Sequence, residues 1–200
     1  MQAKKLTALL LGAALSLGLL AGCSSGAPAH SQDPAGASPA VQPSGAGELS
    51  SFTADTLAGD SFTHDDISAK DVTVINFWGT YCGPCINEMP DLAAYAKALP
   101  ENVQLITVCV DGAGNPEGAE RILEEAGYEG VTLLGGDENF LAVCNSVQVI
   151  PTTIFVDSGG SIVGSAVIGS QADLAAAFTD GVNQVLKAAG KAEISVDIQE

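Results

Sequence analysis

The chain has 200 residues, enough for one domain with appendages and tight for two, and 46% of them are apolar, which is ample for a core. Acidic residues number 24 against 7 Lys and Arg, and the bases form no stripe or cluster, so the surface repels phosphate backbones and the composition argues against nucleic-acid binding. Such acidity keeps a protein in solution and favours basic partner surfaces without naming any of them.

Met1 to Cys23 opens with Lys4 and Lys5, continues through an apolar stretch from Leu6 to Leu20, and ends Leu20-Ala21-Gly22-Cys23. A basic start, an apolar middle and small residues before a cleavage point are the parts of a secretory signal. The apolar stretch is shorter than the roughly 20 residues of a spanning helix. The last four residues resemble the bacterial lipobox, which implies that residues 1–22 are removed and that Cys23 becomes the lipidated first residue, anchoring the chain to a membrane outside the cytoplasm. An ordinary secreted protein with an incidental cysteine, or an uncleaved membrane helix, are the competing readings. Residues 23–48 are rich in Ser, Gly and Pro without apolar period and read as a flexible tether, with His30 solvated inside it.

A domain is expected over 49–190, followed by a tail at 191–200. Ser51 to Thr63 holds Phe52, Thr56 and Phe62 around Ala58-Gly59-Asp60, a turn between two short strands. Val72 to Phe77 is a compact β-rich run, the pattern of a buried strand. Cys82 to Leu99 carries Cys85, Met89, Leu92, Ala93, Ala96 and Leu99 at helical spacing, with Pro90 expected to kink the helix. Val103 to Val110 reads as a strand, Pro116 to Ala126 as an acidic amphipathic helix, Val131 to Leu134 as a short strand and Asn139 to Ser146 as a helix. Ile154–Val156 and Ile162–Val167, separated by Asp157-Ser158-Gly159-Gly160, read as a hairpin. A last helix over about 171–189 presents Leu174, Phe178, Val182, Val185 and Leu186 on one stripe. Strands alternating with helices and closed by a hairpin imply an α/β domain whose mixed central sheet is flanked by helices on both faces.

Cys82-Gly83-Pro84-Cys85 lies between the predicted strand and helix. A cysteine at a helix start meets unpaired backbone N–H groups and the positive end of the helix dipole, which favour thiolate over thiol. Cys82 is therefore the candidate nucleophile. Cys85, one turn further in, is placed to attack a mixed disulfide formed at Cys82. The competing readings are a zinc site and a permanent structural disulfide. Zinc wants four N or S ligands, whereas His30, His64, Cys109 and Cys144 are all singly placed, so no metal is expected.

Asn76 to Asp91, together with Ile150-Pro151-Thr152-Thr153, resembles the thioredoxin superfamily, and within it the membrane-tethered TlpA/ResA-like group. The resemblance spans about residues 50–189. It implies a thioredoxin fold with an N-terminal β-hairpin extension, a redox-active Cys82–Cys85 disulfide in place of any cofactor, and a cis bond before Pro151 that lets Ile150 offer its backbone to substrate. Two positions depart from cytoplasmic thioredoxins, which have a buried aspartate at Asn76 and a tryptophan at Tyr81. Asn76 cannot take a proton, so deprotonation of Cys85 needs another acceptor. Glu88 is one helical turn from Cys85, and the tethered group has a functional acid at the matching position. A solvated helix glutamate is the alternative. Trp78 and Tyr81 are expected to shape the substrate surface around Cys82, with plain packing as the default.

Cys109 and Cys144 remain, and an extracytoplasmic setting permits a second disulfide between them, against two buried free thiols. The resemblance implies an enzyme that reduces disulfides in exported proteins, in cytochrome c maturation or repair, drawing electrons from a membrane donor of the CcdA/DsbD type. The alternatives are an oxidant that installs disulfides and a non-catalytic lipid-anchored binding or metal-delivery module.

Overall fold

The computed structural model describes residues 49–198. The segments expected as a signal and a tether, with His30 and the expected lipidation site Cys23, lie outside the described residues. Strand β1 (Thr53–Thr56) pairs antiparallel with β2 (Ser61–Thr63), and Thr56 N donates to Asp60 O at 2.9 Å to close the turn. The two-residue side-chain period sends Phe52, Ala54 and Phe62 inward. Helix α1 (His64–Ser68) follows without a loop. It starts there because Thr63 and Asp66 form a capping box, with Thr63 N donating to Asp66 Oδ2 at 2.7 Å.

Strand β3 (Val72–Trp78) lies inside the sheet, and all seven of its residues are buried. It pairs in parallel with β4 (Val103–Cys109) and antiparallel with β6 (Thr152–Asp157). A strand covered on both faces needs a continuous apolar run, which the segment from Val72 to Trp78 supplies. Alternation sends Val72, Val74 and Trp78 to one face and Ile75 and Phe77 to the other. The first face is covered by α2 (Gly83–Ala98), α3 (Pro116–Ala126) and α5 (Leu174–Ala188), through Leu92, Leu123 and Val182 among others. The second is covered by α1 and α4 (Glu138–Ser146), through Ile67, Phe140 and Val143. With β5 (Thr132–Gly136) and β7 (Val167–Ile168), the seven-stranded mixed sheet runs β2-β1-β5-β4-β3-β6-β7.

This topology places the functional segments. Because β3 and β4 run in parallel, with Trp78 opposite Cys109, their carboxyl ends lie side by side. The amino end of β6 meets them, with Thr152 opposite Phe77. Residues 79–82, 110–112 and 150–151 therefore converge at one end of the sheet, where the strands of an α/β sheet leave a crevice.

Two segments differ from expectation. The turn at 158–160 does bring Val156 against Ile162, but this is an isolated bridge, and the second arm rejoins the sheet only at Val167–Ile168, opposite Thr152 and Thr153. The expected hairpin is thus paired at its two ends and open between them. Residues 191–198, expected as a tail, lie against α5. Asn183 grips them, accepting from Ile194 N at 2.8 Å and donating to Ile194 O at 2.9 Å, while Ile194, Val196 and Ile198 pack on the core. Among the described residues no helix is long and apolar enough to cross a membrane.

Candidate active site

The chain leaves β3 at Trp78, makes a three-residue turn through Gly79, Thr80 and Tyr81, and enters α2 with Cys82 as its N-cap. Pro84 sits in the first turn of the helix, where its missing N–H costs nothing. Cys82 and Cys85 are joined by a disulfide of S–S 2.05 Å, and Cys85 N donates to Cys82 Sγ at 3.3 Å. The two sulfurs differ in access, Cys82 being 8% exposed and Cys85 1%. A molecule arriving from solvent meets Cys82 first. The bond between Ile150 and Pro151 is cis, and the Ile150 carbonyl oxygen lies 3.8 Å from Cys82 Sγ. Gly169 N donates to Pro151 O at 2.8 Å, which ties this loop to the approach to α5.

Glu88 is 7% exposed and faces inward, so it is not a solvated helix glutamate. Burial raises its pKa, with the Asp91 charge adding to the rise, while hydrogen bonds with Ser170, Asn76 and the Gln171 backbone pull the other way. Asn76 is buried beside it on β3 and donates Nδ2 to Thr153 Oγ1 at 3.0 Å, and its Oδ1 has no partner among the described residues. The structure thus gathers Cys82, Cys85, Glu88, Ile150 and Pro151 at one end of the sheet.

The expectation for Trp78 is corrected. Its side chain is 0% exposed, because β3 is covered on both faces and Trp78 falls on the one packed under α2, α3 and α5, so it is core and offers no surface to a substrate. Tyr81, beyond the strand, is 72% exposed. Tyr81 and Ile150 border a cavity of about 280 Å³ that is also lined by Leu134, Leu141, Cys144 and Val149. Larger cavities, about 510 and 610 Å³, lie away from the disulfide.

A Cys109–Cys144 disulfide is not formed, and both thiols are free. Cys109 follows Val103 and Leu105 on the β4 face covered by α2, α3 and α5, whereas Cys144 on α4 packs with the cluster of the opposite face. The two thiols belong to different core clusters, although both residues border the same cavity of about 280 Å³. Burial pushes the Cys109 thiol up to about 12, with the neighbouring Asp111 charge adding, and burial pushes Cys144 up to about 11.

One group escapes the sequence reading. Asp111 accepts from Thr80 N at 2.9 Å on Oδ1 and from the Thr80 hydroxyl on Oδ2, and Asn115 Nδ2 donates to Thr80 Oγ1 at 3.0 Å. Burial would raise the Asp111 carboxyl, but the hydrogen bonds from Thr80, together with those from Cys109 and its own backbone N–H, outweigh it and hold the pKa below its ordinary value. The available signal is topological: an acid just past the carboxyl end of a strand parallel to β3 must lie near the Cys82 turn.

Residues 47–165 match the model of the AhpC/TSA family. A relative from Halalkalibacterium halodurans, thiol-disulfide oxidoreductase ResA, is 31% identical over 56% of this chain and 62% of its own. The thioredoxin-like protein YneN of Bacillus subtilis is 28% identical over 56% of this chain and 64% of its own. The chain thus spans less than two thirds of the length of these relatives. Among solved structures, the thioredoxin domain of a thiol-disulfide oxidoreductase from Bacteroides vulgatus superposes with a TM-score of 0.55 at 24% identity, covering 69% of this chain and 98% of that one, which assigns the thioredoxin fold. With the family match running from before β1 to beyond the cis proline, over more than half of the 200 residues, the chain belongs to the AhpC/TSA family.

Proposed function

We propose that the protein is a thiol-disulfide oxidoreductase that works outside the cytoplasm and reduces disulfides in exported proteins. The observation that carries this reading is the Cys82–Cys85 bond at the start of α2, with its outer sulfur 3.8 Å from the Ile150 carbonyl and its inner sulfur 1% exposed. In the reduced protein the Cys82 thiolate attacks one sulfur of a substrate disulfide. A Cys82–substrate bond forms as the substrate S–S bond breaks, and the departing thiolate takes up a proton. The Cys85 thiolate then attacks Cys82 Sγ, closing the internal disulfide and releasing the second substrate thiolate. Two electrons pass to the substrate, and a dithiol donor in the membrane, of the CcdA/DsbD type, restores the reduced form.

The helix start favours the Cys82 thiolate. Glu88 takes the Cys85 proton. Burial raises its pKa toward that of a thiol, and a stronger base abstracts that proton more readily. Exposed Tyr81 and Val149 beside Ile150 give the segment flanking a substrate cysteine an apolar surface to lie on. The Leu20-Ala21-Gly22-Cys23 stretch supports a lipid on Cys23 that holds the domain near its membrane donor.

Trapping tests the reading. Cys85→Ser lacks the resolving thiol and is expected to accumulate mixed disulfides between Cys82 and exported proteins, dissolved by dithiothreitol. A Cys85→Ser protein that captures nothing, alongside wild type inactive in insulin-disulfide reduction, removes it.

A further inference from the structure

We propose that Asp111 is a positioning residue for the redox pair: by gripping Thr80 and placing a negative charge at the turn, it keeps the Cys82–Cys85 couple reducing. The proposal rests on the reading of Cys82 as the attacking thiol.

Only Gly79, Thr80 and Tyr81 separate β3 from Cys82, and Cys82 N donates to Gly79 O at 3.0 Å, so the placement of Thr80 dictates that of Cys82. Both oxygens of the Asp111 carboxylate bind Thr80, its N–H on Oδ1, which also accepts from Cys109 Sγ at 3.4 Å, and its hydroxyl on Oδ2. Since the hydroxyl hydrogen points to the carboxylate, the lone pairs of Thr80 Oγ1 are left to accept from Asn115 Nδ2 at 3.0 Å, at the start of α3. Hydrogen bonds to an ionised carboxylate are stronger than neutral ones. A side chain at Gly79 would find Asp111 Oδ1 at 3.2 Å on one side and Ile150 Cδ1 at 3.1 Å on the other, so the turn is clamped between the end of β4 and the loop before β6.

Two consequences act in the same direction. A fixed turn holds Cys82 where Cys85 can reach it, which raises the effective concentration of one thiol toward the other and favours the disulfide. A fixed negative charge near Cys82 disfavours its thiolate, and with it the reduced form. The other titratable groups at this turn are the Tyr81 phenol, whose Cε1 would lie 3.1 Å from a Cβ at Gly79, and the Cys109 thiol, whose Sγ approaches Asp111 Oδ1 at 3.4 Å, while Glu88 on α2 keeps to Asn76, Ser170, Asp91 and Gln171.

The experiment measures the ratio of oxidised to reduced protein in glutathione buffers, together with the pH midpoint of Cys82 alkylation by iodoacetamide in a Cys85→Ser background. Asp111→Asn is expected to lower the oxidised-to-reduced ratio about threefold and move the alkylation midpoint down by about half a unit. Asp111→Ala, which loses the grip as well, is expected to lower the ratio about tenfold. Thr80→Val keeps the charge and is expected to lower the ratio while leaving the midpoint in place, and Thr80→Ser to restore the ratio. Folded Asp111→Asn protein with the ratio and midpoint of wild type overturns the proposal, whatever its melting temperature, and decides alone if Asp111→Ala does not fold. Neither readout requires a protein substrate, so failure of the reductase reading would appear separately, as wild type inactive toward insulin.

Discussion

Replacing Glu88 with Gln is expected to make the protein more stable and less active at neutral pH. The sign follows from linkage. Burial raises the carboxyl in the folded protein above its unfolded value, so the folded state holds the proton over a range where the unfolded state has lost it. Stability is complete while the group is protonated in both states, falls as pH rises from the unfolded value through the folded one, and stays reduced above it. Each unit of elevation is worth about 1.4 kcal/mol. For a domain of this size one kcal/mol moves the melting temperature by about 2–4 °C. Glutamine fills the same volume, can still accept from Ser170 and Asn76, and carries no charge to desolvate. Melts of wild type and Glu88→Gln are therefore expected to coincide near pH 3.5 and to separate in favour of Gln at pH 7.5. Insulin reduction is expected to fall by about 10²-fold, the lower end of what general-base catalysis supplies. A Gln variant that melts at or below wild type at pH 7.5, with the same pH dependence, refutes the account of a buried charge held for function at the expense of stability.

Gly181 on α5 faces the ring of Phe155, and a Cβ there would fall 2.2 Å from Phe155 Cζ. Phe155 is itself buried, between Gly181 and the edge of Phe178, so it has nowhere to retreat. Gly181→Ala is expected to cost about 1–3 kcal/mol in denaturant unfolding despite the helix propensity of alanine, and an unchanged midpoint would contradict the packing. Peptide mass mapping of oxidised protein is expected to find both Cys109 and Cys144 alkylated after denaturation without reductant. In the native state Cys109 is expected to stay unmodified at pH 7.5, and rapid native labelling there would contradict its burial.

The longer elements were legible because several signals agree on each. Pro116 opens α3 and Gly127 follows its last residue, and the helix occupies Pro116–Ala126 as read. The Val72 run is β3 to within one residue. Helix α1 was not legible by period, since five residues make barely more than one turn, and only the Thr63/Asp66 box marks it. Trp78 illustrates a different miss. A tryptophan near the Cys82 turn suggests a rim, but Trp78 is still a residue of β3, which is buried on both faces, so either register would put it inside. The absence of a Cys109–Cys144 bond needed the faces of β4 and α4, which no spacing reveals. Glu88 and Cys85 were legible as neighbours on one helix. The grip of Asp111 on Thr80 joins positions 31 residues apart in sequence and appears only once β3 and β4 lie in parallel register.

The burial of Cys109 and Cys144 bears on the exchange chemistry proposed for Cys82 and Cys85. A protein that swaps disulfides carries its own worst competitor, since any internal thiolate within reach could attack the Cys82–Cys85 bond and scramble it. Exchange requires the anion, and burial pushes both spare thiols far enough above the ordinary range that they stay protonated at pH 7. Burial thus works as chemical quarantine. The domain holds four cysteines, and the disulfide of Cys82 and Cys85 is the one pair among them that is joined.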